Sequence, residues 1–323
     1  VSDTLVALWA FQDGDDLKIA TGTVDGDYRY HVFHMATDLW DGTLKNELIE
    51  DPKDLPSNMH CAVTVRSDDD VIVLYNGDQD AVMGTNYNRV DYAVRVTSWT
   101  VGTNVAGDGL ETSWRQGIAV LGVSDKSHFY YTDTTNADAY HRSLNSSDSL
   151  GTQHSIDTSV ASGDPFSPSN GSSGHGTGIY YDAAGVERIT VAYQDADGTL
   201  QGVVVENDGT PGTPTNASDS TGTLACLAVE NGTTKKAHLL FADSATLDLF
   251  RDVNQNEGGW GTDTEVLDAV TIDALSVNVY NRSGTKLAYV YDDGGTVKYN
   301  EVDLGGAPAM TQTGWVQSRG GWW

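Results

Sequence analysis

The stretch KLAYVYDDGGTVKYNEVDL, Lys286 to Leu304, decides the fold. An apolar run ends in Asp-Asp-Gly-Gly, and a run of alternating character follows it. Two glycines between extended segments are typical of a tight β-hairpin turn. The stretch therefore predicts two antiparallel strands, and closely similar stretches recur along the chain.

The recurring element is an apolar run that ends in an aromatic residue, one variable residue and Asp. Five copies are LVALWAFQD, SHFYYTD, RITVAYQD, AHLLFAD and LAYVYDD, and a sixth, VIVLYNGD, has one extra residue before the Asp. The aromatic positions are Phe11, Tyr75, Tyr131, Tyr193, Phe241 and Tyr291. Such self-similarity indicates a repeat architecture.

Each copy is followed by a turn and a second predicted strand, which in the first copy is YRYHVFHMATDLW, residues 28–40. Five copies are also preceded by a strand, and Asp, Gly, Ser and Asn close the runs, as hairpin turns require. No helical period appears. The Asp-terminated strands are apolar on both faces, so they must be covered on both sides.

Units of about 40–60 residues with four strands each predict the blades of a β-propeller. Only four residues precede the first copy, whereas the strand-like GWVQSRGGWW is left over at the chain end. We therefore predict an all-β fold, a six-bladed β-propeller of four-stranded antiparallel blades. It forms a single domain over residues 1–323, closed by pairing of the N- and C-terminal segments. Five or seven blades, or a β-sandwich fold, are the alternatives.

The chain is strongly acidic, with 46 acidic and 18 basic residues among 323 and a net charge of -28. Such a surface repels phosphates, so we predict no nucleic-acid partner. No stretch approaches the ~20 apolar residues of a membrane span, so we predict no membrane insertion. Because the acidic residues are spread along the whole chain, a surface adapted to salt or solubility is favoured over a set of ligand-binding carboxylates.

Two cysteines, Cys61 and Cys226, lie in the apolar runs HCAVTV and LACLAV, which predicts buried free thiols rather than a disulfide. The first residues lack the basic start and apolar core of a signal peptide. We predict an extracellular or virion-associated protein, and this location implies a removed leader or release as part of a particle.

The units ITVAYQDADGTLQGVVVE and LAYVYDDGGTVKYNEVDL resemble blades of the sialidase-like (neuraminidase-like) β-propeller superfamily. The resemblance covers most of the chain, but the superfamily's Asp-box, Ser-x-Asp-x-Gly-x-Thr-Trp, is not intact in any unit. It implies a glycosidase, a polysaccharide lyase, or a non-catalytic lectin or adhesin. The units are also similar to propellers displayed on phage particles.

In a propeller, the loops that enter the innermost strands converge with those that follow the second strands. The candidate catalytic residues there are His60, His175, Arg115 and Tyr87, a set that could supply the base and the cation of a polysaccharide lyase. Sialidase chemistry is disfavoured, because Arg115 is the one arginine that falls convincingly on this rim. We favour the simpler interpretation of His60 and His175 as ordinary polar residues at strand starts.

Exposed Trp residues suit sugars, whose apolar ring faces stack on aromatic rings. Most Trp residues here are predicted to fill gaps between blades. Trp114, beside Arg115, and Trp260, in the Gly-flanked GGWG, are predicted to contact a ligand, and Asp273 lies on the same rim.

The repeated Asp is predicted to bond to backbone groups at hairpin corners rather than to form a ring of cation ligands. Asp78 and Asp80 in DQD, and Asp195 and Asp197 in DADG, resemble pieces of calcium loops without the full EF-hand spacing. They are the candidate ligands of a structural Ca²⁺.

No Gly-rich phosphate loop, GxSxG or HExxH motif is present. We predict a non-catalytic, extracellular or virion-displayed propeller that binds glycans such as a cell-surface polysaccharide, or a protein of a larger assembly, for host attachment or surface decoration. One alternative is a glycan-cleaving enzyme, either a glycoside hydrolase or a polysaccharide lyase, with its site at the mouth of the central channel. Another is a structural subunit that only docks into an assembly.

Overall fold

A computed structural model describes most of the chain. The described residues are 5–13, 15–23, 27–50, 61–66, 69–77, 89–102, 114–121, 126–133, 137–160, 177–181, 187–206, 208–231, 235–243, 245–246, 248–255, 258–268, 272–281, 285–304 and 315–317. They form strands, turns and bends, so the predicted all-β class is confirmed. Within these ranges, no helix is long and apolar enough to cross a membrane.

The chain divides into two compact units, Val1–Ser155 with Thr313–Trp323, and Ile156–Gln312. The first unit contains three antiparallel sheets. Their strands are β1 (Leu5–Asp13), β2 (Asp16–Thr23), β3 (Tyr28–His34), β4 (Leu39–Trp40), β5 (Glu47–Glu50), β6 (Cys61–Val65), β7 (Val71–Gly77), β8 (Arg89–Arg95), β9 (Trp99–Gly102), β10 (Trp114–Leu121), β11 (Ser127–Asp133), β12 (Asp138–Leu144) and β13 (His154–Asp157), which reaches the unit boundary.

The second unit contains a seven-stranded and a three-stranded sheet. Its strands are β14 (Thr177–Tyr181), β15 (Glu187–Gln194), β16 (Thr199–Glu206), β17 (Thr215–Asn231), β18 (Lys235–Asp243), β19 (Leu249–Gln255), β20 (Thr264–Leu267), β21 (Ile272–Asn281), β22 (Thr285–Asp293) and β23 (Thr296–Asp303). The last strand of the chain, β24 (Trp315–Gln317), belongs to the first unit.

The hairpin that decides the fold is present as β22 and β23. Asp293 pairs with Thr296, so Gly294 and Gly295 form a two-residue turn. Their φ values of 57° and 85° lie in the left-handed region, as a type I′ turn requires of both central residues. Asp292 Oδ1 accepts the Gly295 N–H at 2.7 Å and closes the corner.

All six Asp-terminated runs are strands, namely β1, β7, β11, β15, β18 and β22. Each pairs with the strand before it and the strand after it, and β24 takes the preceding place beside β1. The prediction for the first copy was wrong in one respect. The strand that follows β1 is β2, and the stretch at residues 28–40 supplies β3 and β4 farther out. The mixed sequence DLKIATGT begins directly after the turn and lacks the aromatic residues that made Tyr28–His34 conspicuous.

The C-terminal segment pairs with the first strand, as expected. Trp9 lies opposite Gln317 and Ala10 lies opposite Trp315. The terminal segments therefore share one sheet in the first unit.

The repeated aromatic side chains are core residues wherever the structure describes them. They are buried at Tyr75, Tyr131, Tyr193, Phe241 and Tyr291. Each therefore anchors its strand by removing a large apolar surface from water.

Both cysteines are free and buried, as predicted. The Cys61 thiol lies 3.5 Å from the Ala20 carbonyl oxygen, and the Cys226 thiol lies 2.9 Å from the Leu275 carbonyl oxygen. Burial raises the pKa of Cys61 to about 12, which keeps this thiol protonated and unreactive.

Strand β17 is 17 residues long and serves two hairpin systems in the second unit. Its first part pairs with β16 at Thr215, Asn216 and Thr221, and its second part pairs with β18 from Gly222 to Asn231. This shared strand makes the sheet of β14 to β20 continuous.

Candidate functional site

The candidate site is built on the hairpin of β15 and β16. The four-residue turn Asp195–Gly198 joins the strands, and Gly198 has a φ of 91° that favours glycine. The register places Arg188 opposite Glu206. Because alternate residues of a strand share a face, Gly202, Val204 and Glu206 all lie on one side of β16.

A cleft of about 240 Å³ opens on this face. Its floor is the hairpin, one wall is the segment that enters β17, and the other wall is the connection between β19 and β20. The lining residues are Thr190, Gly202, Val203, Val204, Glu206, Gly212, Thr213, Thr215, Asn254, Gly259 and Trp260. The cleft is smaller than the ~300–1,000 Å³ of sites for drug-sized ligands, which suits a single sugar ring.

Trp260 lies between β19 and β20 and pairs with Asn254 in an isolated antiparallel bridge. Gly259, directly before it, has a φ of 103°. The Trp260 side chain is half-buried and packs on the core cluster that contains Leu200 and Phe241. The indole is therefore fixed in the wall of the cleft and is in part open to solvent.

Gly202 makes this placement possible. A Cβ atom built at Gly202 would lie 2.2 Å from Trp260 Nε1, which is far inside van der Waals contact. The indole therefore rests directly on the backbone of β16.

We expect Gly202→Ala to displace the indole. Overpacking of this kind costs about 1–3 kcal/mol in the free energy of unfolding, which urea denaturation measures. Gly42→Ala is the control, because no atom lies within 4 Å of a Cβ built there. Equal stability of the two variants would contradict the close approach.

A cross-strand ion pair lies at the end of the hairpin. Arg188 Nη1 donates to Glu206 Oε2 at 2.5 Å, and the side chains are 18% and 46% exposed. The guanidinium is thus largely buried, while the carboxylate reaches the cleft. Glu206 offers hydrogen-bond acceptors, and Asn254 and Thr190 offer both donors and acceptors.

Two aspartates hold the connection that carries Trp260. Asp252 is 2% exposed, and its Oδ1 accepts the Gly261 N–H at 2.9 Å and the Val253 N–H at 2.5 Å. Asp263 Oδ2 accepts the N–H of Asp219 at 2.8 Å, which ties the connection to β17. The segment that follows Trp260 is thus anchored at Gly261 and at Asp263.

Of the predicted ligand-contact residues, Trp260 has a described side chain, and it lines this cleft. Trp114 and Arg115 begin β10 in the first unit, and Asp273 lies in β21; for these three the structure describes the backbone. The candidates His60, His175, Tyr87, Asp78 and Asp80 lie outside the described residues. Their roles stay predictions.

Asp195 and Asp197 serve the turn of the hairpin. Asp195 Oδ1 accepts the Asp197 N–H at 3.0 Å, and Asp197 Oδ1 accepts the Thr199 N–H at 2.9 Å. Asp243 behaves alike, because its Oδ1 accepts the N–H of Ala245 and of Thr246 at 2.8 Å. The predicted corner role of the repeated Asp is confirmed at these hairpins.

Within the described ranges, no three His, Cys, Asp or Glu side chains are arranged to hold a metal ion. Calcium binding by Asp195 and Asp197, or by Asp78 and Asp80, therefore stays a prediction.

Other Trp residues have different surroundings. Trp99 begins β9, and its ring meets Tyr30 edge to face with centroids 5.4 Å apart. Trp99 Nε1 is buried without a partner among the described residues, so this ring fills space. Trp40 is 46% exposed and meets Phe33 at 5.2 Å. The predicted packing role thus suits Trp99.

Comparison with solved structures identifies the fold. The BP39L lectin from Burkholderia pseudomallei aligns with a TM-score of 0.59 and 11% identity over 93% of this chain and 81% of the lectin. The fucose-recognising lectin from Aleuria aurantia, a six-bladed β-propeller, aligns with a TM-score of 0.52 and 13% identity over 97% of each chain. The chain has a β-propeller fold.

An ulvan lyase of polysaccharide lyase family 25, solved with a bound GlcA–Rha3S saccharide, also aligns. Its TM-score is 0.52 and its identity is 9%, over 91% of this chain and 81% of the lyase. At the level of sequence, the chain matches no protein-family model and no curated protein. The propeller part of the predicted resemblance is confirmed, and membership of the sialidase-like superfamily stays a prediction.

Proposed function

We propose that the protein is a non-catalytic glycan-binding propeller and that the cleft at Trp260 is a sugar site. The observation that carries the proposal is an indole fixed in the wall of a single-ring cleft whose floor ends in the Arg188–Glu206 pair. A sugar ring stacks its apolar side on an aromatic face, and its hydroxyls bond to charged or amide groups. Lectins, among them a fucose-specific one, share the fold and support this assignment.

We also propose that the ring has six blades within a single domain of residues 1–323, closed by β24 and β1. Six Asp-terminated strands, each between two neighbours, support this count. An extracellular or virion-displayed location, for attachment to a surface glycan or a partner protein, belongs to the same proposal. The strongly acidic composition supports it.

Trp260→Ala tests the sugar site. We expect it to weaken glycan binding about tenfold or more, because truncation of a central aromatic contact removes most of the stacking surface. A glycan array identifies ligands, and titration calorimetry with methyl α-fucoside measures the affinity. Trp40→Ala, which removes an exposed Trp in the first unit, is the matched control. An equal loss of glycan affinity in both variants, or no loss in Trp260→Ala, would show that the cleft is not the sugar site.

The second candidate function is polysaccharide cleavage, which the structural likeness to the ulvan lyase favours. Incubation with acidic and neutral polysaccharides separates the two functions. New unsaturated uronates or reducing ends would identify an enzyme. Binding without product would support the lectin.

A further inference from the structure

The connection between β19 and β20 carries a single aromatic side chain into the cleft and is held by side chains behind it. Asp252 Oδ1 bonds to the N–H of Gly261, the residue directly after Trp260. A Cβ at Gly261 would lie 3.1 Å from that same oxygen, so backbone and carboxylate are in close contact. Three residues after Trp260, Asp263 bonds to the backbone of Asp219. Neither aspartate lines the cleft.

We propose that Asp252 and Asp263 are positioning residues that hold Trp260 in its sugar-binding place, and that this hold strengthens when the medium becomes mildly acidic. The inference rests on the proposed function of the cleft. It adds a tightening of sugar binding at mildly acidic pH that depends on residues outside the cleft lining.

The charges around Asp263 explain the direction of the effect. Burial is the largest cause of the raised pKa of Asp263. The hydrogen bond from the Asp219 N–H lowers this pKa, whereas the charges of Asp219 on β17, Asp252 on β19 and Asp243 at the end of β18 raise it. Arg251 precedes Asp252 on its strand and therefore points to the opposite face. No basic side chain of the described residues is among the groups that shift the pKa of Asp263.

Burial and these neighbours raise the pKa of Asp263 to about 6. Below this pH the carboxyl is neutral, and the anchors are free of like-charge repulsion. Above it, a carboxylate forms beside three others, and its Oδ1 is buried without a partner among the described residues. A raised pKa means that the compact arrangement is favoured at low pH and weakened as pH rises through about 6.

The first measurement follows Trp260 without any ligand. Full-length protein is labelled with 5-fluorotryptophan, and the Trp260 resonance is identified by its loss in Trp260→Phe. We expect this resonance to shift between pH 5 and pH 8 with a midpoint near 6. In Asp263→Asn the shift should vanish. In Asp219→Asn, a change at an exposed residue, the midpoint should fall.

Asp268→Asn is the matched control, because Asp268 is exposed and follows β20, the same strand that Asp263 precedes. It should leave the midpoint unchanged. A Trp260 resonance that is constant from pH 5 to pH 8 would overturn the inference. So would a midpoint that is the same in the parent and in Asp219→Asn.

The second measurement is the affinity for methyl α-fucoside at pH 5 and pH 8. We expect about fivefold tighter binding at pH 5 in the parent protein. The difference should be absent in Asp263→Asn and retained in Asp268→Asn. Equal affinity of the parent protein at both pH values would overturn the inference while leaving the sugar site intact. If the Trp260 resonance shifts with pH as expected but no glycan of the array binds, the positioning role stands and the proposed function fails.

Discussion

Replacement of Arg66 by Ala is expected to lower the free energy of unfolding by about 3–5 kcal/mol, the usual cost of breaking a buried ion pair. The Arg66 side chain is completely buried. Nη2 donates to Asp70 Oδ2 at 2.5 Å, and Nη1 donates to Asp148 Oδ1 at 2.8 Å and to the Asn145 carbonyl oxygen at 2.7 Å.

The guanidinium therefore joins two turns that lie 79 to 82 residues apart in the chain. Its loss leaves a cavity and removes the ion pair of the Asp70 carboxylate, which is only 15% exposed. Urea denaturation followed by fluorescence measures the change.

Two further variants test the cause. Asp148→Asn should cost less than about 1 kcal/mol, because Asp148 is 42% exposed and its ion pair is weakened by water. Arg66→Lys keeps the positive charge, but a lysine ammonium cannot reproduce the two-sided hydrogen bonding of the guanidinium to Asp70 and Asp148. Its free energy of unfolding should therefore lie between those of the parent and Arg66→Ala. An Arg66→Ala protein within 1 kcal/mol of the parent would contradict the role given to this pair.

The second large effect is an acid sensitivity centred on a buried histidine pair. His128 Nδ1 and His141 Nε2 are 2.9 Å apart, and both side chains are fully buried. One ring must donate and the other accept, so the accepting ring has to be neutral. Burial, helped by Lys126, lowers the pKa of His128 to about 3.

The folded protein thus resists protonation of His128, whereas the unfolded chain takes up that proton near pH 6.5. Stability from this group is complete above pH 6.5 and is lost as the pH falls toward 3. Between pH 6.5 and pH 4 the loss amounts to about 3 kcal/mol, at 1.4 kcal/mol for each pH unit.

Urea denaturation at pH 7, 5 and 4 measures this slope. The double variant His128→Leu, His141→Leu should lose most of it, even if its stability at pH 7 is lower. His154→Gln, which changes a half-buried histidine of the same sheet, should retain it. If the double variant and the parent lose equal stability between pH 7 and pH 4, the pair is not the cause.

The residues around each turn were enough to predict the hairpins. Asp-Asp-Gly-Gly predicted the β22–β23 turn because positive φ at two successive residues is a demand that glycine meets at low cost. The Asp-terminated strands were predicted to be covered on both sides because they are apolar on both faces, and their described aromatic side chains are buried. Both signals depend on residues that are close together in sequence.

Long-range contacts gave no such signal. Nothing near Arg66 in the sequence points to Asn145 or Asp148, and the His128–His141 bond depends on how two strands face each other. Trp260 was predicted as a ligand contact from its glycine-flanked segment, but Arg188 and Glu206 were not. Their pairing could have been found by counting outward from the DADG turn, because a hairpin fixes which residues lie opposite.

The long strand β17 has a consequence for how the second unit comes apart. The two halves of β17 belong to different hairpin systems. If one system loses its interstrand hydrogen bonds, the part of β17 that belongs to the other system is therefore no longer held at one end. Amides of β16 and of β18 should consequently exchange with solvent deuterium as one group, with a common opening free energy. The boundary between these two repeats is thus a point of shared cooperativity, where an inserted segment or a backbone break would loosen both neighbours at once.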